Sequence, residues 1–294
     1  MTFRGKPPMT ARWMVPLVLA VGLFGSPAAA ARSPCPASLA PAERLACLAP
    51  AETEAEAALV VARNDAAKAI ADWHGQLDAD ERKVWGAEFA RALDLWVTFR
   101  NRTCAADLLA FQQRLGPAAA EAASRACRIG LTQVIVGDLT NRFGEQVADR
   151  MRGHLAGPQR GPNRRDLIGA EGSQPLCRHP GRGGDYAPLT ACYERHAARL
   201  DARLETTWSQ ALAAIRARED LPAAGRARWS ELLTAAQQSW KELRDLTCRL
   251  EAYETPNRWA HSIYAMVTGP CRIVETEERI RTLASAYGLR RGER

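Results

Sequence analysis

The chain has 294 residues, and 40 Lys and Arg residues against 33 Asp and Glu residues give it a formal net charge of +7 at pH 7. This net charge is small, and the sequence contains no dense run of basic residues with interleaved aromatic residues. Both observations argue against a nucleic-acid-binding protein. The five histidines show no metal-ligand spacing, and no GxSxG, HExxH or phosphate-loop motif occurs. The sequence therefore predicts neither catalytic residues nor a metal or cofactor site.

Residues 1–31 have the pattern of a secretory signal peptide. Three basic residues within 1–12 precede an apolar run at 13–25, and small residues at 26–31 provide a cleavage site. No later stretch approaches the roughly 18 consecutive apolar residues of a spanning helix. The pattern predicts a periplasmic or secreted protein that keeps no membrane anchor after cleavage.

The rest of the chain is predicted to consist of two helical units. The first spans 32–152, a Gly- and Pro-rich linker spans 153–175, and the second spans 176–294. Neither unit contains a period-two alternation of useful length, so no sheet is expected. The prediction is an all-α fold of two tandem small helical bundles, each stabilised by disulfides.

Apolar residues at spacings of three and four predict the helices. They recur at 59–77 in the first unit, and at 200–215 and 229–250 in the second. A further helix is predicted after the last cysteine of each unit, and in the second unit Pro270 suits its first turn.

The two units carry the same residues at a spacing of 144 positions. The first reads VWGAEFARALDLWVTFRNRTC at 84–104, and the second reads RWSELLTAAQQSWKELRDLTC at 228–248. The chain therefore contains a duplication. The matching positions are Trp85 and Trp229, Trp96 and Trp240, Arg100 and Arg244, Thr103 and Thr247, and Cys104 and Cys248.

All eight cysteines follow the predicted signal peptide, and an even count in an exported chain predicts four disulfides. If a helix ending near Leu115 turns back into the next, Cys104 and Cys127 lie level with each other and within bridging distance. Cys248 and Cys271 repeat this spacing. The remaining cysteines would join each N-terminal segment to its first helix, although other pairings stay open. The predicted pairs are Cys35–Cys47, Cys104–Cys127, Cys177–Cys192 and Cys248–Cys271.

AAQQSWKELRDLTC at 235–248 resembles the signature of the LprI-type lysozyme-inhibitor domain, in which Gln, Trp, Arg-Asp and Cys follow in this order. Leu243 replaces the aromatic residue that is usual there. The resemblance implies an exported, cysteine-linked helical module, and the family name implies inhibition of lysozyme. The matching residues of the second unit are Gln237, Trp240, Arg244, Asp245 and Cys248.

The first unit fits the same signature less well. Trp96 and Arg100 match, but Leu93 replaces the Gln and Asn101 replaces the Asp. The chain is therefore identified as two tandem copies of the domain, of which the first is degenerate.

The signature allows two interpretations, framework or contact surface. Trp229 and Trp240 lie in the apolar stripe and are expected to be buried. Gln237 and Arg244 lie on a flank of that stripe, where they could either bridge neighbouring helices or contact a partner. Asp245 points further out, so it is either an ordinary surface carboxylate or a ligand for Arg or Lys on a partner protein.

The sequence thus predicts a non-enzymatic binding protein that inhibits lysozyme or a related peptidoglycan hydrolase by steric blockade. The second unit is mildly basic, with 19 basic and 15 acidic residues, and would not attract a cationic lysozyme over long range. The alternative is an envelope structural or adaptor module that bridges protein partners. Outside the signature the two units differ, which indicates one functional unit or two different partners.

Overall fold

The computed structural model describes residues 35–36, 38–73, 77–143, 177, 187–254 and 261–289. Within these residues the chain forms helices and no strand, which confirms the predicted all-α fold. The predicted signal peptide and linker lie outside them. The elements are α1 (Pro41–Ala71), α2 (Ala79–Thr103), α3 (Ala106–Gln113), α4 (Pro117–Phe143), α5 (Ala187–Arg216), α6 (Ala223–Leu250), a 3₁₀ turn (Glu251–Glu254) and α7 (His261–Ala286).

Each unit is built on one long helix pair. In the first unit α1 packs along α4, and in the second α5 packs along α7. None of the described helices combines the length and apolar character of a membrane span.

Four disulfides join the predicted cysteine pairs: Cys35–Cys47, Cys104–Cys127, Cys177–Cys192 and Cys248–Cys271. Their Cα–Cα distances lie between 5.6 and 6.0 Å, which is the ordinary range for a disulfide. Each unit is therefore closed by one bond near its N-terminal end and by one bond between its last two long helices.

Three predictions about helix ends differ from the structure. The first-unit pattern at 59–77 predicted a helix that continues to residue 77, but α1 ends at Ala71. Asp78 then starts α2, because its side chain accepts from the Glu81 N–H at 2.8 Å while the Glu81 carboxylate accepts from the Asp78 N–H at 3.0 Å. The predicted helix that ends near Leu115 is also wrong, because α2 ends at Thr103 and α3 follows separately.

The third correction concerns the last helix of each unit. α4 begins at Pro117 and α7 at His261, about ten residues before the cysteines that were expected to precede them. Pro270 therefore lies inside α7 and not in its first turn. The helix continues through the proline although one backbone N–H is missing. Ala265 and Thr268, upstream of the proline, are buried.

The two units share one hydrophobic core, because α2 of the first packs along α6 of the second. Trp85 stacks on Tyr253 with ring centroids 5.9 Å apart, and Phe111 stacks on Trp229 at 5.7 Å. Each of these tryptophans thus contacts an aromatic residue that follows the central helix of the other unit. The contact has the reciprocal character of a two-fold interface between subunits, built here within one chain.

Polar contacts reinforce this interface between the units. Arg102 donates to Ser239 Oγ at 2.5 Å, and the Tyr253 hydroxyl donates to Glu88 at 3.0 Å. These contacts hold the two units against each other.

Candidate functional site

Arg244 lies at the centre of a polar cluster where α5, α6 and α7 meet. Its side chain is only 5% exposed. Nη1 donates to Asp201 Oδ1 at 2.5 Å and to Thr276 Oγ1 at 2.8 Å, and Nε donates to Asp245 Oδ1 at 3.0 Å. The guanidinium also lies over the Trp240 ring, 5.1 Å from its centroid. Arg244 therefore ties three helices together through charge-assisted hydrogen bonds.

The carboxylates of this Arg244 cluster are more accessible than the arginine. The side chains of Asp201 and Asp245 are 34% and 49% exposed. Arg272 holds them from outside, with Nη2 3.0 Å from Asp201 Oδ2 and Nε 3.6 Å from Asp245 Oδ1. Asp245 makes these contacts through Oδ1. The cluster thus presents two oriented carboxylates at the surface.

Gln237 and Arg279 form a second polar contact, which we call the Gln237–Arg279 pair. Gln237 is 1% exposed, and its Oε1 accepts from Arg279 Nε at 2.8 Å. The guanidinium carbon lies over the rings of Trp240 and Phe99, at 5.7 and 5.8 Å from their centroids. Because Phe99 belongs to the first unit, the pair sits at the boundary between the units. Burial lowers the pKa of Arg279 to about 10.

The first unit repeats the Arg244 cluster around Arg100. Its Nη1 donates to Thr132 Oγ1 at 2.6 Å and lies 2.6 Å from Glu56 Oε1. Nε and Nη2 donate to Asn101 Oδ1 at 3.2 and 3.0 Å. The guanidinium lies 5.3 Å from the Trp96 centroid. Both units therefore use a buried arginine to join their three long helices.

The Gln237–Arg279 pair has no such counterpart. At the positions 144 residues earlier stand Leu93 and Ile135, both buried and both apolar. The two units thus share the arginine cluster. They differ at the neighbouring helix contact, which is polar in the second unit (Gln237 and Arg279) and apolar in the first (Leu93 and Ile135).

The structure separates the residues predicted from the signature. Trp229 and Trp240 are buried, at 3% and 1% exposure, as predicted. Gln237 and Arg244 are also buried and bond to neighbouring helices, which supports the framework interpretation of these two residues. Asp245 is the exposed member, and its contact with a partner stays a prediction.

Sequence reasoning missed the residues that complete both polar contacts. Asp201, Thr276 and Arg279 lie on other helices, 32 to 43 positions away from the side chains that they bind. Only Arg279 could have been identified from the sequence. It is a charged residue in an otherwise apolar stripe, and the equivalent residue of the first unit is Ile135.

The histidines do not form a site within the described residues. His74, His154 and His179 lie outside them, and His261 begins α7. His196 lies on α5 and is half-buried. No group of three or more His, Cys, Asp and Glu side chains in the described residues could hold a metal ion.

Residues 177–283 match the family model described as Lysozyme inhibitor LprI. The match confirms the predicted family resemblance for the second unit, and it contains the Arg244 cluster and the Gln237–Arg279 pair. No curated protein and no solved structure gave a significant match. That the first unit is a copy of the same domain stays a prediction, which the Arg100 cluster supports.

Proposed function

We propose that this chain is an exported, non-enzymatic protein that binds lysozyme or a related peptidoglycan hydrolase and inhibits it. The observation that carries the proposal is the match of residues 177–283 to the lysozyme-inhibitor family. Four disulfides are compatible with an oxidising compartment outside the cytoplasm, where such hydrolases act.

Inhibition would be steric. Glycoside hydrolases need two carboxylates on either side of the scissile bond, so a protein that covers the cleft stops the reaction without chemistry of its own. Rigidity favours such binding because little conformational freedom is lost on association. The disulfides, the Arg244 cluster and the core shared by the two units all restrict this chain before it meets a partner.

We place the contact surface on the second unit, at Asp201 and Asp245. The other side of α6 is covered by α2 and cannot meet a partner. The two carboxylates are partly exposed and held in place by Arg244 and Arg272. Fixed carboxylates of this kind accept hydrogen bonds from Arg and Lys on a cationic protein, and they act at short range even when the whole chain is mildly basic.

The test is a cell-wall clearing assay in which the purified, oxidised protein is titrated into lysozyme. Stoichiometric loss of lysis is expected. Asp245→Asn introduces the residue that stands at this position in the first unit, and we expect it to weaken inhibition about tenfold, equivalent to about 1.4 kcal/mol. Asp94→Asn, at an exposed carboxylate of the first unit, is the matched control and should inhibit like the wild type.

Failure is equally clear in this assay. If a large molar excess of wild-type protein leaves several lysozyme types fully active, the inhibitor function is rejected. If the wild type inhibits and Asp245→Asn inhibits equally well, the function stands and the contact surface is wrong.

An adaptor that bridges two partners is the second candidate, and exposed valines on the first unit favour it. Val60 and Val61 on α1 are 57% and 59% exposed. In this part of the units the spacing is 145, as between Cys47 and Cys192, and the second unit carries Glu205 and Thr206 at the corresponding positions. An apolar surface on only one unit suits a second partner. Cross-linking in the envelope should then capture a complex of the wild-type protein with its partner. The Val60→Ser/Val61→Ser variant should not form this complex but should inhibit lysozyme as well as the wild type does.

A further inference from the structure

Arg279 is a buried cation without a carboxylate partner. It is 8% exposed, and no Asp or Glu of the described residues lies within ion-pair distance of its guanidinium. Its one hydrogen-bond acceptor is the neutral side chain of Gln237. Buried charges in proteins are normally paired, because an isolated one loses its hydration without recovering it from an opposite charge.

The amide beside this cation is also incompletely bonded. Gln237 Nε2 is buried and has no acceptor within the described part of the chain. The amide orientation is fixed, because Oε1 must face the Arg279 Nε–H that donates to it. The pair therefore combines unsatisfied amide N–H donors with an adjacent positive charge that has no ion-pair partner among the described residues.

The fold does not need a charge at this point. The first unit builds the same helix seam with Leu93 and Ile135, which are 5% and 2% exposed. A polar pair is therefore a feature of the second unit alone, and packing does not explain it.

We propose that the Gln237–Arg279 pair binds a small monovalent anion of the chloride class at the boundary between the two units. A water molecule could accept hydrogen bonds from these donors but would leave the charge uncompensated. The rings of Phe99 and Trp240 attract the cation, yet they carry no net charge.

The first test measures stability against anion concentration. Bromide replaces gluconate at constant ionic strength, and the Tm of the oxidised protein is recorded. An ion that binds only the folded state should raise Tm by about 3–6 °C for each tenfold increase above its Kd. Gln237→Leu/Arg279→Ile copies the first unit's residues and is expected to show no bromide dependence. Equal bromide dependence in the two proteins, or none in either, overturns the proposal.

The second test does not depend on any variant. Crystals of the wild-type protein grown in bromide should show an anomalous peak in contact with the Arg279 guanidinium. If the Gln237→Leu/Arg279→Ile variant does not fold, the crystallographic experiment alone tests whether the anion binds. A peak supports the site, and a water molecule or nothing at that position overturns it.

Discussion

The rings of Trp85 and Tyr253 stack with their planes 4° from parallel, and they belong to different units of the chain. Phe111 and Trp229 repeat this relationship with the units exchanged. Because each unit completes the core of the other, neither is expected to stay folded once its neighbour has unfolded. The two units should behave thermodynamically as one domain.

We therefore predict that Tyr253→Ala destabilises the whole chain by about 2–4 kcal/mol and leaves a single unfolding transition, since it removes a ring from the shared core. Guanidinium unfolding followed by tryptophan fluorescence and by far-UV circular dichroism should give coincident curves. Tyr253→Phe is the control, because it keeps the stacked ring while it loses the hydrogen bond to Glu88, and it should cost about 1 kcal/mol. Two separate transitions, with only one of them shifted, would contradict the shared core.

The sequence predicted the features that depend on local spacing. The apolar periodicity identified the helical units. Cys104 and Cys127 lie at similar distances before and after a turn near Leu115, and this spacing identified them as a disulfide pair. The repeated spacing helped, since the tryptophan, arginine and cysteine pattern at 84–104 recurs at 228–248. Helix ends were predicted less well, because an end such as Thr103 is decided by caps and packing and not by periodicity.

What the sequence did not predict depends on contacts between distant elements. The stripe on α2 shows that Trp85 is buried, but periodicity does not indicate which helix covers it. Arg244 was correctly placed on a helix seam, while its partners Asp201 and Thr276 could not be identified without knowing how three helices meet. The framework role of the signature was thus predictable in kind, and its geometry was not.

Arg244 provides the second prediction. Arg244→Lys keeps the charge but loses the planar donor set that reaches Asp201, Asp245 and Thr276 together. We expect a loss of about 1–3 kcal/mol in the free energy of unfolding. Arg249→Lys is the control, because that side chain is 45% exposed and should change stability by less than about 0.5 kcal/mol. Equal effects of the two substitutions would show that the cluster contributes no more than a surface charge.

The third prediction concerns the coupling between Gln237 and Arg279. Gln237→Leu leaves the buried guanidinium without its acceptor and should cost about 1–3 kcal/mol. Adding Arg279→Ile recreates the apolar pair of the first unit, so the double variant should be more stable than Gln237→Leu alone. Chemical unfolding of the four proteins of the cycle gives the coupling energy. Additive effects would mean that the two side chains do not interact in solution.

The fourth prediction is a pH dependence that arises from His196. Burial lowers its pKa below 6.5, and the neighbouring Arg199 and Arg203 lower it further, against an opposing effect of Glu277. Between the lowered pKa and 6.5 the unfolded chain binds more protons than the folded one, so stability rises with pH in this window. The destabilisation is complete below the folded pKa and absent above the unfolded one.

Acidification from pH 7.5 to pH 5 should therefore lower Tm, and His196→Asn should reduce that decrease because Asn does not titrate. The other four histidines are present in both proteins, so the difference between the two Tm profiles isolates His196. Arg199→Gln should act in the same direction by removing the nearest cation. Parallel Tm profiles for wild type and His196→Asn would show that the folded and unfolded chains bind the His196 proton equally.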